Sequence, residues 1–423
     1  MSTDLAKMEI SKPRGTVRYE IWVIMFLAFF MAYLDRANIS VLIANGGYTE
    51  ALGIAGDRGS QGLLMTSFLF FYGLASFFIG PVIDRIGPRK VLIYNLLLWA
   101  GIMIVMGAVA SFKVHIFCRV ILGLTEAMAA PVCSKLIHTW FPAQERAKAN
   151  GVWFVGLNFS LLAGIPIVAW LVAVFGWSGS FYSIAILNII PVFACLAIVY
   201  DTVAAHPRIS KEEVEYISAG KVEDIHSSGT RLTSYKFLTK KVFWLTTIVY
   251  SFNLASFWGI QTWLPTYLIT THGFSWAKGG LLSGVPYGVN ILFLLIFTPL
   301  MDKYNTRAPF TAGGCVFLTV SMFLVTLAGD PIMALTAISI GFGCITMANC
   351  SLFPILQNGM DSNEVAAAVG CFTGFAYVFS SAFPYIMGAI YKYLGSLDAG
   401  FYLLGVNGVI SVLATLPMVR NRL

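Results

Sequence analysis

Gly80-Pro-Val-Ile-Asp-Arg-Ile-Gly-Pro-Arg-Lys90 closes one apolar run and opens the next, and Thr298-Pro-Leu-Met-Asp-Lys-Tyr-Asn-Thr-Arg307 does the same much later in the chain. Asp84 and Asp302 stand 218 residues apart. A second echo runs beside the first. Ala143-Gln-Glu-Arg precedes Gly151, Ser362-Asn-Glu-Val precedes Gly370, and both the glutamates and the glycines are 219 apart. Three anchors within one residue of a common offset indicate a duplicated chain whose halves run in the same sense. Parallel repeats of this kind place a substrate site between the halves at mid-depth.

Composition says what surrounds the halves. Of 423 residues, 58% are hydrophobic and 11% charged, and the mean hydropathy is +0.78. A protein in water needs more charge to cover its surface, whereas lipid accepts an apolar exterior. Spans of about 20 apolar residues fall near 20–43, 60–82, 90–110, 114–138, 149–174 and 180–200, then near 243–268, 279–300, 308–328, 332–357, 365–390 and 399–419. The expected fold is all-α: twelve transmembrane helices in two six-helix halves, 1–200 and 243–423. A polar linker, 201–242, joins them. Ser210 and Glu213 have capping-box spacing, so a short surface helix should start there. The first span carries Asp35 and Arg36 and lacks a small-residue cleavage pattern, so it reads as a retained helix.

The net charge of +7 would suggest nucleic acid in a soluble protein. Here the basic residues cluster between spans. One side holds Lys7, Lys12, Arg14, Arg18, Arg85, Arg89, Lys90, Arg146, Lys148, Lys303, Arg307, Arg420 and Arg422; the other holds Arg58, Lys113, Lys278 and Lys392. That asymmetry predicts a cytoplasmic (plasma or inner) membrane protein with both termini cytoplasmic. The seven cysteines lie in or beside apolar runs without a CxxC pair, the pattern of buried free thiols. No metal, cofactor, nucleic acid or nucleophile–base set is expected, and the chain is not read as an enzyme.

Charges at bilayer depth cost several kcal/mol (about 2.5–3.5 on insertion scales) and usually mark pairing or function. Asp35 and Arg36 in the first span and Arg119 and Glu126 in the fourth qualify. They serve either a transport path or a static ion-pair core. Arg119 and Glu126 are two turns apart on one face, about 10.5 Å along the axis. Tyr33 and Arg36 share a face, and the planar fork of Arg36 suits a carboxylate. The repeat offset sets Asp35 opposite the uncharged Asn253, so the charged machinery belongs to one half. Asn253, Trp258, Gln261, Asn349, Gln357 and Tyr377 are lesser candidates, since polar groups in spans often bond neighbouring helices. His115, His138 and His272 read as interfacial.

The segment 80–90 resembles the signature loop of the major facilitator superfamily. Tyr33-Leu-Asp-Arg-Ala-Asn-Ile-Ser40, Arg119 with Gly123 and Glu126, the linker 206–217, and Thr262-Trp-Leu-Pro-Thr-Tyr267 resemble its anion:cation symporter branch, which includes sugar-acid and hexuronate carriers. The resemblance implies a secondary active transporter that symports a small organic anion with protons, as a monomer. It implies that Arg36, Tyr33 and Tyr72 meet substrate, that Asp35 and Glu126 carry protons, and that Arg119 tunes Glu126. Asn253, Gln261 and Tyr377 are further substrate candidates. Protonating both acids would leave +2 from the arginines and favour an anion, the reciprocity symport needs.

Tyr377 stands where sugar-acid members have an asparagine, and Leu157-Asn158 where they have a glutamine. Gly80, Asp84, Arg85, Gly87, Arg89 and Lys90 are read as both topology anchors and a cytoplasmic gate, Gly80 for close packing and Gly87 for a tight turn. The alternatives are a sulfonate or dicarboxylate symporter or an anion exchanger on the same fold. Further off is a drug/proton antiporter; such carriers have a glycine-rich fifth-helix motif, GxxxGPxxGG, which the stretch Leu161-Leu-Ala-Gly-Ile-Pro-Ile167 here fits poorly.

Overall fold

The computed structural model describes residues 17–219, 236–304, 306–361 and 364–421; Lys7, Lys12, Arg14, Asn305, Ser362, Asn363, Arg422 and linker residues 220–235 lie outside the described residues. Regular structure among the described residues is helical throughout, as hydrocarbon requires of a backbone that must satisfy its own polar groups. Twelve spans result. α1 is Val17–Ile43. α2 is Arg58–Ser76 continued by Ile79–Ile86, and α3 is Pro88–Ala108. α4 is Phe112–Glu126 continued by Ala129–Trp140. The helical stretch Ala143–Ile198 divides at Gly176 (φ 72°, ψ 177°) into α5, 143–175, and α6, 177–198.

α7 is Lys241–Thr266 with a π-helical turn Tyr267–Thr271, and α8 is Trp276–Leu282 followed by Val285–Tyr304. α9 is Ala308–Leu327 and α10 Pro331–Asn358. α11 is Val365–Ser380 continued by Ala382–Leu394, and α12 is Asp398–Arg420. Nine stretches of the described residues are long and apolar enough to cross a bilayer by themselves, and one of them, 144–198, holds two spans. The two spans outside those nine, α2 and α7, both pack against the other half.

Within the halves, α1 packs on the α5–α6 stretch, α2 on α4, α9 on α10, and α12 on α7 and α9. Between them, α2 meets α11, α5 meets α8 and α1 meets α7. The repeat offset maps α2 onto α8 and α5 onto α11, so the first two contacts are one contact formed twice. Large apolar side chains such as Ile186, Phe193 and Leu327 point outward, which suits lipid.

The face where α1 starts and α12 ends carries two related ion pairs. Arg18 donates to Glu145 Oε2 at 2.9 Å and to Glu213 Oε1 at 2.8 Å. Lys240 pairs with Glu364 at 3.2 Å and Asp361 at 3.0 Å. In each half, a base at the start of the first helix holds the acid at the start of the fifth. The linker helix is Lys211–Ala219. Ser210 caps it, accepting from the Glu213 amide at 3.1 Å, as its spacing predicts. The Glu213 carboxylate does not complete the box; it turns to Arg18 and is fully buried, so one side of this surface helix is docked.

Two other expectations change. His115 is buried, bonded to the Tyr48 hydroxyl at 2.9 Å and facing the Val109 carbonyl at 3.1 Å, because the short helix Gly46–Ala51 folds over it. A side chain at Gly80 would meet open space, so that glycine does not serve close packing here. Gly87 does make the turn into α3, with φ 90°, a conformation that disfavours any Cβ.

The opposite, distal face is closed by backbone-close packing of α2 on α11. A Cβ at Gly62 would run into the Pro384 carbonyl, and one at Gly388 into the Arg58 carbonyl. Lys392 pairs with Asp57 at 3.5 Å beside them, and Arg58 lies 5.2 Å from the Tyr391 ring centroid. Overpacking of this kind costs about 1–3 kcal/mol. Gly388→Leu should therefore force the distal face apart. A short thiol cross-linker between cysteines placed at Asp57 and Lys392 should lose several-fold in yield in that variant, and an unchanged yield would show that the contact is not a seal.

Candidate substrate and coupling site

The four charged residues of the spans meet at mid-depth because α4 comes unusually close to α2. A Cβ at Gly123 would strike the Phe68 carbonyl, so only glycine allows the approach. Arg119 lies one turn to one side of Gly123 and Glu126 about one turn to the other. Asp35, Arg119 and Glu126 are fully buried and Arg36 is 2% exposed.

Arg36 Nε donates to Glu126 Oε2 at 2.8 Å. Its guanidinium carbon lies 4.2 Å from the Tyr33 ring centroid, 4.9 Å from Phe68, 5.1 Å from Tyr72 and 5.6 Å from Trp258. Trp258 belongs to α7, so this aromatic box joins the two halves. Tyr377 of α11 stacks on Tyr72 with centroids 4.3 Å apart. A desolvated cation over aromatic faces gains about 2 kcal/mol, which offsets part of the cost of burying it.

The pairing leaves specific atoms unspent. Arg36 Nη1, Glu126 Oε1 and both Asp35 oxygens are buried without a hydrogen-bond partner. Arg119 gives Nε to the Leu64 carbonyl at 3.0 Å and Nη2 to Met65 Sδ at 3.4 Å, and it lies 4.3 Å from the Phe68 ring. Phe68 is thus shared by both arginines. Glu126 takes Arg36, from another helix, as its bonded partner rather than Arg119 on its own face. A buried donor or acceptor left unmade costs about 1–3 kcal/mol, so the free guanidinium corner and carboxylate oxygens mark where a ligand atom or a proton would be stabilised.

The structure therefore brings Tyr33, Arg36, Tyr72 and Tyr377 together at the junction of the halves. Gln261, one turn beyond Trp258, is buried with neither amide atom bonded. Asn253 is spent inside its own half, donating to Asn349 Oδ1 at 3.0 Å. Gln357 is exposed, away from the buried box. Among the loop residues, Asp84 pairs with Lys135 of α4 at 2.7 Å, and Arg89 donates to the Leu196 carbonyl at 3.1 Å over the Tyr200 ring. Arg85 and Lys90 are exposed. Sequence reading missed Phe68, although its position one turn before Tyr72 was available as a signal.

Two interlocked helical halves with charged, aromatic-walled residues buried between them are the architecture of a membrane carrier. The sequence model of the Major Facilitator Superfamily matches residues 25–384, and the chain belongs to that superfamily. It is similar to the probable galactarate/D-glucarate transporter of Bacillus subtilis (strain 168), 24% identical over 99% of this chain and 95% of the relative. The probable sulfoacetate transporter of Cupriavidus necator is 26% identical, over 96% and 94%. Among solved structures, the bacterial homolog of the human lysosomal transporter Spinster, inward-facing and unoccupied, superposes with TM-score 0.76 at 15% identity, covering 97% of this chain and 99% of that one.

Arg36→Lys separates fork from charge. Lysine keeps the cation but neither the planar pair of donors nor the stacking on four rings. Anion affinity in the purified variant, measured by calorimetry against small carboxylates and sulfonates, should fall about tenfold or more. Equal affinity would remove Arg36 from the site.

Proposed function

We propose that this chain is a proton-coupled symporter that takes up a small organic anion across the cytoplasmic membrane by alternating access. The observation that carries the proposal is the bond from Arg36 to Glu126. An ionised Glu126 and an incoming anion compete for one guanidinium. Protonating Glu126 weakens its hold and releases Arg36 to the anion, so each binding event favours the other. Asp35 supplies a second buried carboxyl beside this switch, and Arg119 keeps a permanent positive charge near both.

The relatives named for sugar acids and for sulfoacetate support an anionic substrate. Tyr377 on Tyr72 fills space beside Arg36, and Gln261 is the one of the two candidate amides with unspent atoms, which suits a compact anion better than a polyhydroxylated one. Carboxylate and sulfonate both match the donors present. The basic residues concentrated on the face of the chain's two ends support placing both termini in the cytoplasm.

Exchange of substrate for substrate needs no net proton movement, whereas return of the empty carrier does. Glu126→Gln mimics the protonated acid and leaves Arg36 without its buried counter-charge in the empty state, a situation worth about 3–5 kcal/mol. In proteoliposomes the variant should keep counterflow while net proton-driven uptake collapses. Loss of both activities would favour a static ion-pair core, and retention of both would remove Glu126 from coupling. Asp35→Asn should likewise abolish accumulation against a gradient; a variant that still accumulates substrate would take Asp35 out of the mechanism.

A further inference from the structure

α6 buries one stripe and shows lipid the rest. Phe181, Ile184, Asn188, Val192 and Cys195 form the buried stripe, while Ile186, Ile189, Ile190 and Phe193 are exposed. Asn188 interrupts an otherwise apolar row, is fully buried, and has neither amide atom bonded. Burying an amide without a hydrogen bond is unfavourable, so this position needs a reason.

The reason lies across the helix interface. Ser180, two turns earlier on α6, donates to Asn38 Oδ1 of α1 at 3.1 Å, and Asn38 is one turn from Asp35. α1 and α6 run in opposite directions, and side chains lean toward the N-terminus of their own helix. Asn188 and Asp35 therefore lean toward one another, and the amide stands beside the carboxyl. The charged groups facing that carboxyl are Glu126 and Arg119 of α4 and Arg36 of α1. Asn188 is the neutral member of the group.

We propose that Asn188 is a positioning residue for Asp35 that serves it in both protonation states. A carboxylate only accepts, whereas a carboxylic acid also donates. An amide meets either form, giving its N–H to the carboxylate or, after a half-turn of its terminal torsion, its oxygen to the acid. No charge moves when it does so. An arginine in this place would oppose protonation and a second acid would oppose ionisation. Both side chains carry the donors and acceptors these alternative bonds need, with no other hydrogen-bond partner competing for them.

This inference rests on the reading of Asp35 as a coupling group, and its test separates the two. Net uptake is measured against pH in proteoliposomes and divided by counterflow of the same variant, so that loss of folded protein cancels. The charge-assisted bond to the carboxylate is the stronger of the two, so Asn188→Ala should raise the pH midpoint by about 0.7 unit, the equivalent of one ordinary hydrogen bond. Asn188→Ser, nearly the same size but able to donate and accept, should return it toward the parent value. An unmoved midpoint in the Ala variant, or equal displacement by Ala and Ser, overturns the assignment while leaving Asp35 in place. Asp35→Asn that still accumulates substrate overturns the coupling reading itself.

Discussion

A guanidinium at the centre of a bilayer must be neutralised or solvated by the protein, and the Arg36–Glu126 bond meets that requirement here. Much of the site follows from it. Gly123 exists to bring α4 against α2 so that Glu126 can reach α1. Phe68 and Tyr72 present ring faces to the cation, and Trp258 adds one from the other half. The bond is strong only while Glu126 is ionised, and a proton or an anion can each replace one of its partners. In the proposed mechanism a structural necessity and a chemical switch are thus the same contact.

The duplication has been spent unequally. At the face of the chain ends both halves keep a base from the first helix on an acid from the fifth, Arg18 on Glu145 and Lys240 on Glu364. Burial separates the copies: the linker helix covers Arg18 through Glu213, while Lys240 stays partly exposed. At mid-depth the divergence is complete. The first half holds four charges, and the matching position in the second holds Asn253, consumed by Asn349. The second half instead brings aromatic surface and the α11 face that closes on α2. In the proposed mechanism the first half binds and titrates, and the second closes over it.

Backbone-close contacts join the halves at the distal face, beside the apolar core that both share. Gly62 meets the Pro384 carbonyl and Gly388 the Arg58 carbonyl, with the Trp263 ring against Gly388 as well. Ion pairs at that face, such as Lys392–Asp57, are partly exposed and contribute at most about 1 kcal/mol each.

Much of this was legible in the chain itself. Hydropathy and the offset between Asp84 and Asp302 gave the twelve spans and the two halves, because hydrocarbon forces helices and tandem halves keep their spacing. Asp35, Arg36, Arg119 and Glu126 stood out because charge is rare where lipid surrounds the protein. Ser210 marked the start of the linker helix because capping is local. Partners were not legible. Helical spacing set Arg119 and Glu126 on one face, yet the bond goes from Glu126 to Arg36 across 90 residues. Spacing says which direction a side chain leaves its helix, whereas its partner depends on how closely helices approach. Only the tertiary structure decided that Gly123 sets this approach, that Asn253 is spent elsewhere, and that Asn188, one amide in an apolar row, lies against Asp35.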